Sequence, residues 1–297
     1  MLSVLIPIYN QDVTKLVAQL VRQLLELKIE YEIVLIDDAS REDIRLKNKV
    51  LAQYQNIVFL ELEQNIGRSR IRNKLAEIAQ FPHLIFLDCD SELCCNLFIT
   101  KYLQAIDGFS IVYGGTTYPA PETLTKTQML HYYYGIKREA LPVNMRIKNS
   151  HISFKTNNFM IPKVVFNQIK FDENIKGYGH EDTLFAIELF ENNIPVVHID
   201  NPVVHNGVET NEEFLRKISV SVTNLKIIYE ISNKKELLVR FIKLIRIYKI
   251  LDSLYIKLIM RVILYPIYKF SKKLLQKGTS NMKLLDFYKL FTILKKN

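Results

Sequence analysis

The chain has 297 residues, 48% hydrophobic and 24% charged, which is enough to bury a sizeable core and excludes wholesale disorder. Nine glycines and nine prolines exclude collagen-like or linker-like chains. The net charge of +9 is unevenly placed: residues 1–233 carry 24 Lys and Arg against 28 Asp and Glu, whereas residues 234–297 carry 16 against 3. The basicity therefore belongs to a C-terminal segment rather than to the main body. Uncharged stretches near the C-terminus, such as Val262 to Tyr268, are too short to span a bilayer. Met1 to Pro7 lacks a basic n-region and a small-residue cleavage site, so no signal peptide is expected. Cys89, Cys94 and Cys95 form an odd, crowded set that suits a reducing cytoplasm better than a disulfide framework.

Along the first hundred residues, short apolar runs alternate with helical patterns. Ser3–Ile8 predicts a buried strand, followed by a helix over 13–27. Glu32–Ile36 predicts a second strand, closed by Asp37-Asp38-Ala39-Ser40, with a polar helix behind it. A third strand is expected at Ile57–Leu62, a helix at Ile71–Ala79, and a fourth strand at Leu84–Leu87, closed by Asp88-Cys89-Asp90. Continuous apolar strands separated by amphipathic helices predict a mainly parallel sheet covered on both faces, with right-handed crossovers: a Rossmann-like α/β layer. Further strands are expected at 109–114, 157–161 and 195–199, with a loop-and-helix insertion at 118–145 that carries Tyr132–Tyr134. Gly177-Tyr178-Gly179-His180-Glu181-Asp182 opens a helix to about Glu191, and residues 212–297 read as mostly helical. Internal repeats and low-complexity tracts are absent from the sequence.

In sheets of this kind ligands collect at the carboxyl ends of the strands. Tyr9-Asn10, Asp37-Asp38 and Asp88/Asp90 each follow a predicted strand and should share one edge. That edge has neither a glycine-rich dinucleotide fingerprint nor a Walker-type loop, so a nucleotide bound there would have its phosphates neutralised by a metal ion. Asp88 and Asp90, one residue apart, suit a hard divalent cation such as Mg²⁺ or Mn²⁺. The alternative is an acidic turn capping a helix, and a D-x-D alone occurs often by chance; Asp37-Asp38 on the same edge shifts the balance. Glu181-Asp182 at a helix start reads either as capping by the helix dipole or as a general base for an acceptor hydroxyl. His205 reads as a satisfied structural histidine or as a third metal ligand beside Asp90, with His198 as the competing candidate. A zinc site at the three cysteines is rejected because the second ligand pair is missing.

Taken in order, these segments resemble family 2 glycosyltransferases, the inverting nucleotide-sugar enzymes with the GT-A fold. The resemblance rests on Ser3–Asn10, Val34–Ser40, Asn65-Ile66-Gly67 with Arg72-Asn73, Phe86–Asp90, Asn157-Asn158-Phe159 and Gly179–Asp182, and it spans about residues 1–207. It implies that Pro7, Tyr9 and Asp38 hold the base and ribose, with Asp38 accepting from uracil if the donor is a UDP-sugar. Arg72 and Asp88 are implied to contact the donor, Asp90 and His205 to ligate Mn²⁺ or Mg²⁺, Glu181 and Asn158 to position the acceptor, and Asp182 to act as base. A processive member's Q-x-x-R-W motif cannot exist in a chain without tryptophan, which argues for transfer of one hexosyl or N-acetylhexosaminyl unit at a time. The expected organisation is a catalytic GT-A domain at 1–210 (donor half to about 115, acceptor half from about 116) and a basic amphipathic helical region at 211–297.

Residues 235–277 interleave apolar residues with Arg240, Lys243, Arg246, Lys249, Lys257, Arg261, Lys269, Lys272, Lys273 and Lys277. Such helices suit an anionic membrane surface, or else pack on the domain or on a partner chain and leave their lysines solvated. The leading expectation is a peripheral enzyme at the cytoplasmic face of the membrane, acting on a glycan or lipid-linked acceptor in cell-surface polysaccharide synthesis. A sugar nucleotidyltransferase would show a glycine-rich basic loop after the first strand, and none is present. A nucleic-acid- or membrane-binding protein acting through the basic tail is the alternative from another class; no nucleic-acid partner is expected for the enzyme.

Overall fold

The computed structural model describes residues 1–175, 178–251 and 254–295. Gly177 of the Gly-Tyr-Gly segment lies outside the described residues, as do the side chains of Lys257 and Arg261. The chain opens as β1 (Leu2–Ile8), α1 (Thr14–Leu27), β2 (Tyr31–Asp37), α2 (Glu42–Lys49), β3 (Ile57–Glu61), α3 (Arg68–Ile78) and β4 (His83–Leu87), close to the spacing read from the sequence. There follow β5 (Ser91–Leu93), α4 (Phe98–Gln104), β6 (Ile111–Tyr113), β7 (Thr116–Thr117) and α5 (Met129–Tyr134). Next come α6 (Val143–Arg146), α7 (Ser150–Ser153), β8 (Asn158–Pro162), α8 (Lys163–Ile169), α9 (Glu181–Glu191), β9 (Val196–His198) and β10 (Val203–His205). The C-terminal helices are α10 (Asn211–Ile231), α11 (Lys235–Phe241), α12 (Lys243–Ile250), α13 (Leu254–Gln276) and α14 (Met282–Leu294).

The chain divides into two compact units. The first comprises Met1–Tyr118, Ala140–Asn174 and Glu181–Gly207; the second comprises Pro119–Glu139, Ile175–His180 and Val208–Asn297. The first unit holds a seven-stranded sheet in the order β3-β2-β1-β4-β8-β6-β9. β1 pairs in parallel with both β2 and β4, whereas β8 runs antiparallel to β4 and β6. The α/β, mainly parallel, GT-A-like arrangement expected from the sequence is therefore present. Nearly all of β1 and β2 is buried, which is why they read as unbroken apolar runs.

Pro7 sits inside β1 without breaking it. Leu2 donates toward β2, so the odd-numbered residues face β4, and the β4 register ends at Leu5. The missing N–H of Pro7 falls beyond the ladder, where a proline is tolerated. On one face of the sheet α1 and α4 pack through Leu16, Leu20, Phe98 and Tyr102. Elsewhere in the unit, rings assemble on α9: Phe171 stacks on Phe185 at 4.3 Å, and Phe86 on Phe159 at 4.9 Å. That aromatic packing fixes the helix whose first residues are Glu181 and Asp182.

Three short strands form a second sheet, β5-β10-β7, which the sequence reading missed. Strands of two or three residues carry no measurable periodicity, so no local pattern could have revealed them. The second unit packs α10, α13 and α14 around Phe214, Tyr268, Leu275, Leu285, Tyr288 and Phe291. Part of the tyrosine-rich insertion belongs to this core: Leu130 is fully buried and donates its N–H to Asn211 Oδ1, while Tyr133 and Tyr134 pack against the cluster. Among the described residues no helix is long and apolar enough to cross a membrane.

His198 tests the packing of the first unit. It is buried, with Nδ1 3.1 Å from the Arg146 guanidinium and Nε2 3.0 Å from Ser150 O. Burial, only partly offset by the Ser150 carbonyl, lowers its pKa from 6.5 to about 4. Between those values the unfolded chain binds the extra proton, so stability is lost as pH falls from 6.5 toward 4 and is retained above that window. A difference of this size corresponds to about 3 kcal/mol. His198→Gln, which keeps an acceptor and a donor, should flatten the acid loss by that order in urea titrations at pH 7 and pH 4.5.

Candidate active site

The site begins with two loops tied to each other. After β1, Asn10 turns into left-handed backbone (φ 53°), donates its N–H to Ser40 Oγ at 2.8 Å and accepts from the Arg41 N–H through Oδ1 at 2.9 Å. After β2, Asp38 donates its N–H to Ile8 O, and its carboxylate is gripped by two backbone amides: Ile66 N–H on Oδ1 at 2.7 Å and Gly67 N–H on Oδ2 at 3.2 Å. Gly67 adopts φ 86°, a backbone conformation that glycine enters at no steric cost, and this turn delivers both amides before α3 starts. The Asn65-Ile66-Gly67 segment thus exists locally to hold Asp38. Burial raises the Asp38 carboxyl above its ordinary pKa, against the pull of the two amides. Two acceptor positions of the carboxylate remain, and the exposed Tyr9 and half-buried Pro7 flank the same strand ends.

After β4, the Asp88 Oδ1 accepts from Arg72 Nη2 at 2.7 Å. Arg72 is buried, with its guanidinium 5.6 Å over the Phe171 ring. Arg72, expected to contact the donor, is thus paired with Asp88 at this edge. Between the two aspartates the Cys89 side chain turns inward. Burial, with Asp90 adding to it, pushes the thiol up to about 12, so the side chain is held as a neutral thiol.

Asp90 and His205 are brought together by the small sheet. β5 pairs antiparallel with β10 with Ser91 opposite His205, and the next residue, Asn206, donates its N–H to Asp90 O at 2.9 Å. The imidazole Nδ1 then lies 3.3 Å from Asp90 Oδ1. Burial raises the Asp90 carboxyl, but His205 and the charge of Arg68 outweigh it and hold the group below its ordinary pKa. His198, the competing candidate, has both ring nitrogens engaged by Arg146 and Ser150 and is excluded as a ligand.

The pair fits a divalent cation. Asp90 Oδ1 is buried, and the imidazole nitrogen 3.3 Å away is the group that faces it. Donors 3.3 Å apart suit neighbouring ligands of one ion with bonds of about 2.1 Å. No cage of three or more such ligands occurs among the described residues, so remaining positions would be left for phosphate oxygens and water. Gly207 completes the cradle: a Cβ there would come within 2.2 Å of Asp90 Oδ2.

Glu181 and Asp182 open α9, where the helix dipole favours carboxylates. Glu181 is buried, with Oε1 3.1 Å from Arg68 Nη1. Asp182 Oδ1 accepts from its neighbour's Thr183 N–H at 2.7 Å, and Oδ2 accepts from Lys155 Nζ at 2.8 Å. Arg68 and Lys155 were not read from the sequence as site residues. Arg68 directly follows the Asn-x-Gly turn, a position that could have flagged it, whereas nothing in sequence marks Lys155.

Asn158 was expected on the acceptor side. It is fully buried; Oδ1 accepts from Tyr102 OH at 2.7 Å, and Nδ2 donates to Gly115 O and Asn201 O at 2.9 Å each. Its amide braces β8 against the residues that follow β6 and the segment entering β10. The glycine at 179 also has a structural explanation: its φ of 91° is left-handed, and a Cβ there would meet Ser221 Oγ at 2.6 Å.

The glycosyl transferase family 2 model matches residues 3–170, and the chain belongs to that family. The fold is shared with the mannosyltransferase PcManGT from Pyrobaculum calidifontis, solved with GDP-Man and Mn2+, at TM-score 0.60 and 12% identity, covering 99% of this chain and 85% of that one. It is also shared with S. aureus TarS 1–349 in complex with UDP, at TM-score 0.55 and 16% identity, covering 99% and 88%. A further similar structure is the same TarS fragment in complex with UDP-GlcNAc, at TM-score 0.52 and 15% identity. No curated protein matches the chain. The chain is therefore a glycosyltransferase of GT-A fold.

Gly207→Ala isolates the cradle. The new methyl must displace the Asp90 carboxylate, so Mn²⁺-dependent nucleoside diphosphate binding should weaken at least tenfold, while circular-dichroism melting stays within a few degrees of the parent.

Proposed function

We propose that this transferase moves one hexosyl or N-acetylhexosaminyl unit at a time, with inversion, from a nucleoside diphosphate sugar to a hydroxyl of a glycan or lipid-linked acceptor. A UDP-sugar is the preferred donor class, because the Asp38 carboxylate retains acceptor positions that an imide N–H of the base can use. The observation that carries the reading is the convergence on one sheet edge of Asp38, of Asp88 with Arg72, and of the Asp90–His205 pair, with Arg68 linking the edge to Glu181 at the start of α9.

Each residue then has a task. Tyr9 and Pro7 pack on the base, Asp38 accepts from it, and Asp88, aimed by Arg72, accepts from the ribose. Asp90 and His205 would hold Mg²⁺ or Mn²⁺, which when bound neutralises the charge that develops on the departing diphosphate. Arg68 adds fixed positive charge at the same place. Glu181, kept in place by Arg68, orients the acceptor. Asp182 takes the proton from the acceptor hydroxyl as its oxygen forms the new bond to the anomeric carbon, and the bond to the diphosphate oxygen breaks on the opposite face. A single displacement of this kind inverts the anomeric centre. The cell-surface polysaccharide setting and a cytoplasmic, membrane-peripheral location accord with lipid-linked acceptors.

Calorimetric titration of UDP, GDP, CDP and dTDP, each with and without Mn²⁺, tests the donor side. One should bind tightly and only with metal; no binding by any of the four overturns the reading. Asp90→Ala should erase the metal-dependent part of that binding. Asp182→Asn should lower transfer by about 10³-fold, within the range of a general base, with donor affinity unchanged. A variant with near-parental turnover removes Asp182 from its role.

A further inference from the structure

Helix α13 carries two apolar stripes, and folding uses only one of them. Leu264, Tyr268 and Leu275 face the core of the helical unit, with Tyr268 stacked on Phe291 at 4.4 Å and on Tyr288 at 5.3 Å. A second row, Ile259, Val262, Ile263, Ile267 and Phe270, repeats at spacings of three and four residues and therefore lines another face of the same helix. All five are exposed, from 50% for Ile267 to 70% for Val262. Exposed apolar residues scattered singly need no explanation, but a continuous helical stripe does. Its border is of one sign: Lys269 and Lys273 are exposed at one side of the row, with Lys272 beyond them.

We propose that this face of α13 is a membrane-docking surface, lying in the plane of an anionic bilayer with the stripe at the acyl boundary and the lysines at the headgroups. Length and composition decide between lying on the bilayer and spanning it. The helix contains Pro266 and several lysines, and it lacks the apolar run that a span requires. Charge decides between a bilayer and a second copy of this chain. A second copy would bring an identical lysine border, like against like, whereas anionic headgroups complement it. Nucleic acid would satisfy the lysines and leave the large aliphatic side chains in water. This surface supplies a partner for the proposed enzyme, but the argument rests on the helix alone.

The test is flotation of the full-length protein with vesicles of phosphatidylcholine alone or mixed with phosphatidylglycerol, at low and high salt. Nucleoside diphosphate binding with Mn²⁺ is measured on the same samples, so failure here is separable from failure of the transferase reading. The parent should float with the mixed vesicles only. Ile263→Glu combined with Phe270→Glu should abolish flotation, and because both side chains are exposed the fold should survive, which thermal melting checks. Lys269→Gln combined with Lys273→Gln should weaken partition about thirtyfold, as should high salt. Absence of flotation at low salt overturns the proposal, and so does flotation unchanged by both double substitutions. A parental dimer in sedimentation that the Glu variant dissolves also overturns it, in favour of a second copy.

Discussion

Four carboxylates, Asp37, Asp38, Asp88 and Asp90, stand at the ends of two strands that both flank β1, and holding them there is the constraint around which the site is built. Each is answered differently. Asp37 folds back on the Ser40 amide at 2.7 Å, Asp38 receives two amides from the turn before α3, and Asp88 takes the buried guanidinium of Arg72. Asp90 alone is answered by a group from the far end of the unit, His205, and that answer is incomplete. The residues that look like a binding motif in sequence are in large part the apparatus that lets acidic groups sit side by side at the edge of a buried sheet.

The sheet was legible because its strands are buried on both faces and punctuated by polar residues, so periodicity and turn chemistry agree. Asp38 and Asp90 stand out for the same reason, since each lies just past an apolar strand, and Asp182 stands out at a helix start. Arg72 and Asn158 mark the limit of the reading. Both stand out in sequence, but that they are buried and hydrogen-bonded within the protein is a property of the assembled fold. The pairing of β5 with β10 was invisible because three-residue strands leave no pattern. Only that pairing distinguishes His205 from His198, two histidines whose local sequences, Val-Val-His, are identical.

The helical unit shows the same limit in reverse. Its net positive charge is plain in composition, but charge alone does not say which side chains are solvated and which are covered. Tyr268 and Tyr288 disappear into the core, with Lys295 seated 4.1 Å over the Tyr268 ring, while Ile263 and Phe270 remain in water. Helical spacing places residues on faces; only packing tells which of two apolar faces is used up.

Orphaned oxygens separate structural acidity from functional acidity. Asp37 Oδ2 and Asp90 Oδ1 are both buried carboxylate oxygens without a hydrogen-bond donor. Asp37 is wholly enclosed by the sheet, with its other oxygen on the Ser40 amide. Asp90 keeps a quarter of its side chain exposed, beside an imidazole with similar exposure, and Gly207 gives up a side chain to leave the carboxylate room. Asp90 is thus a carboxylate held below its ordinary pKa, partly exposed and paired with an imidazole, in contrast to the enclosed Asp37. A divalent cation suits the place beside Asp90, since it would pair with the carboxylate and the imidazole together and add positive charge at an acidic edge.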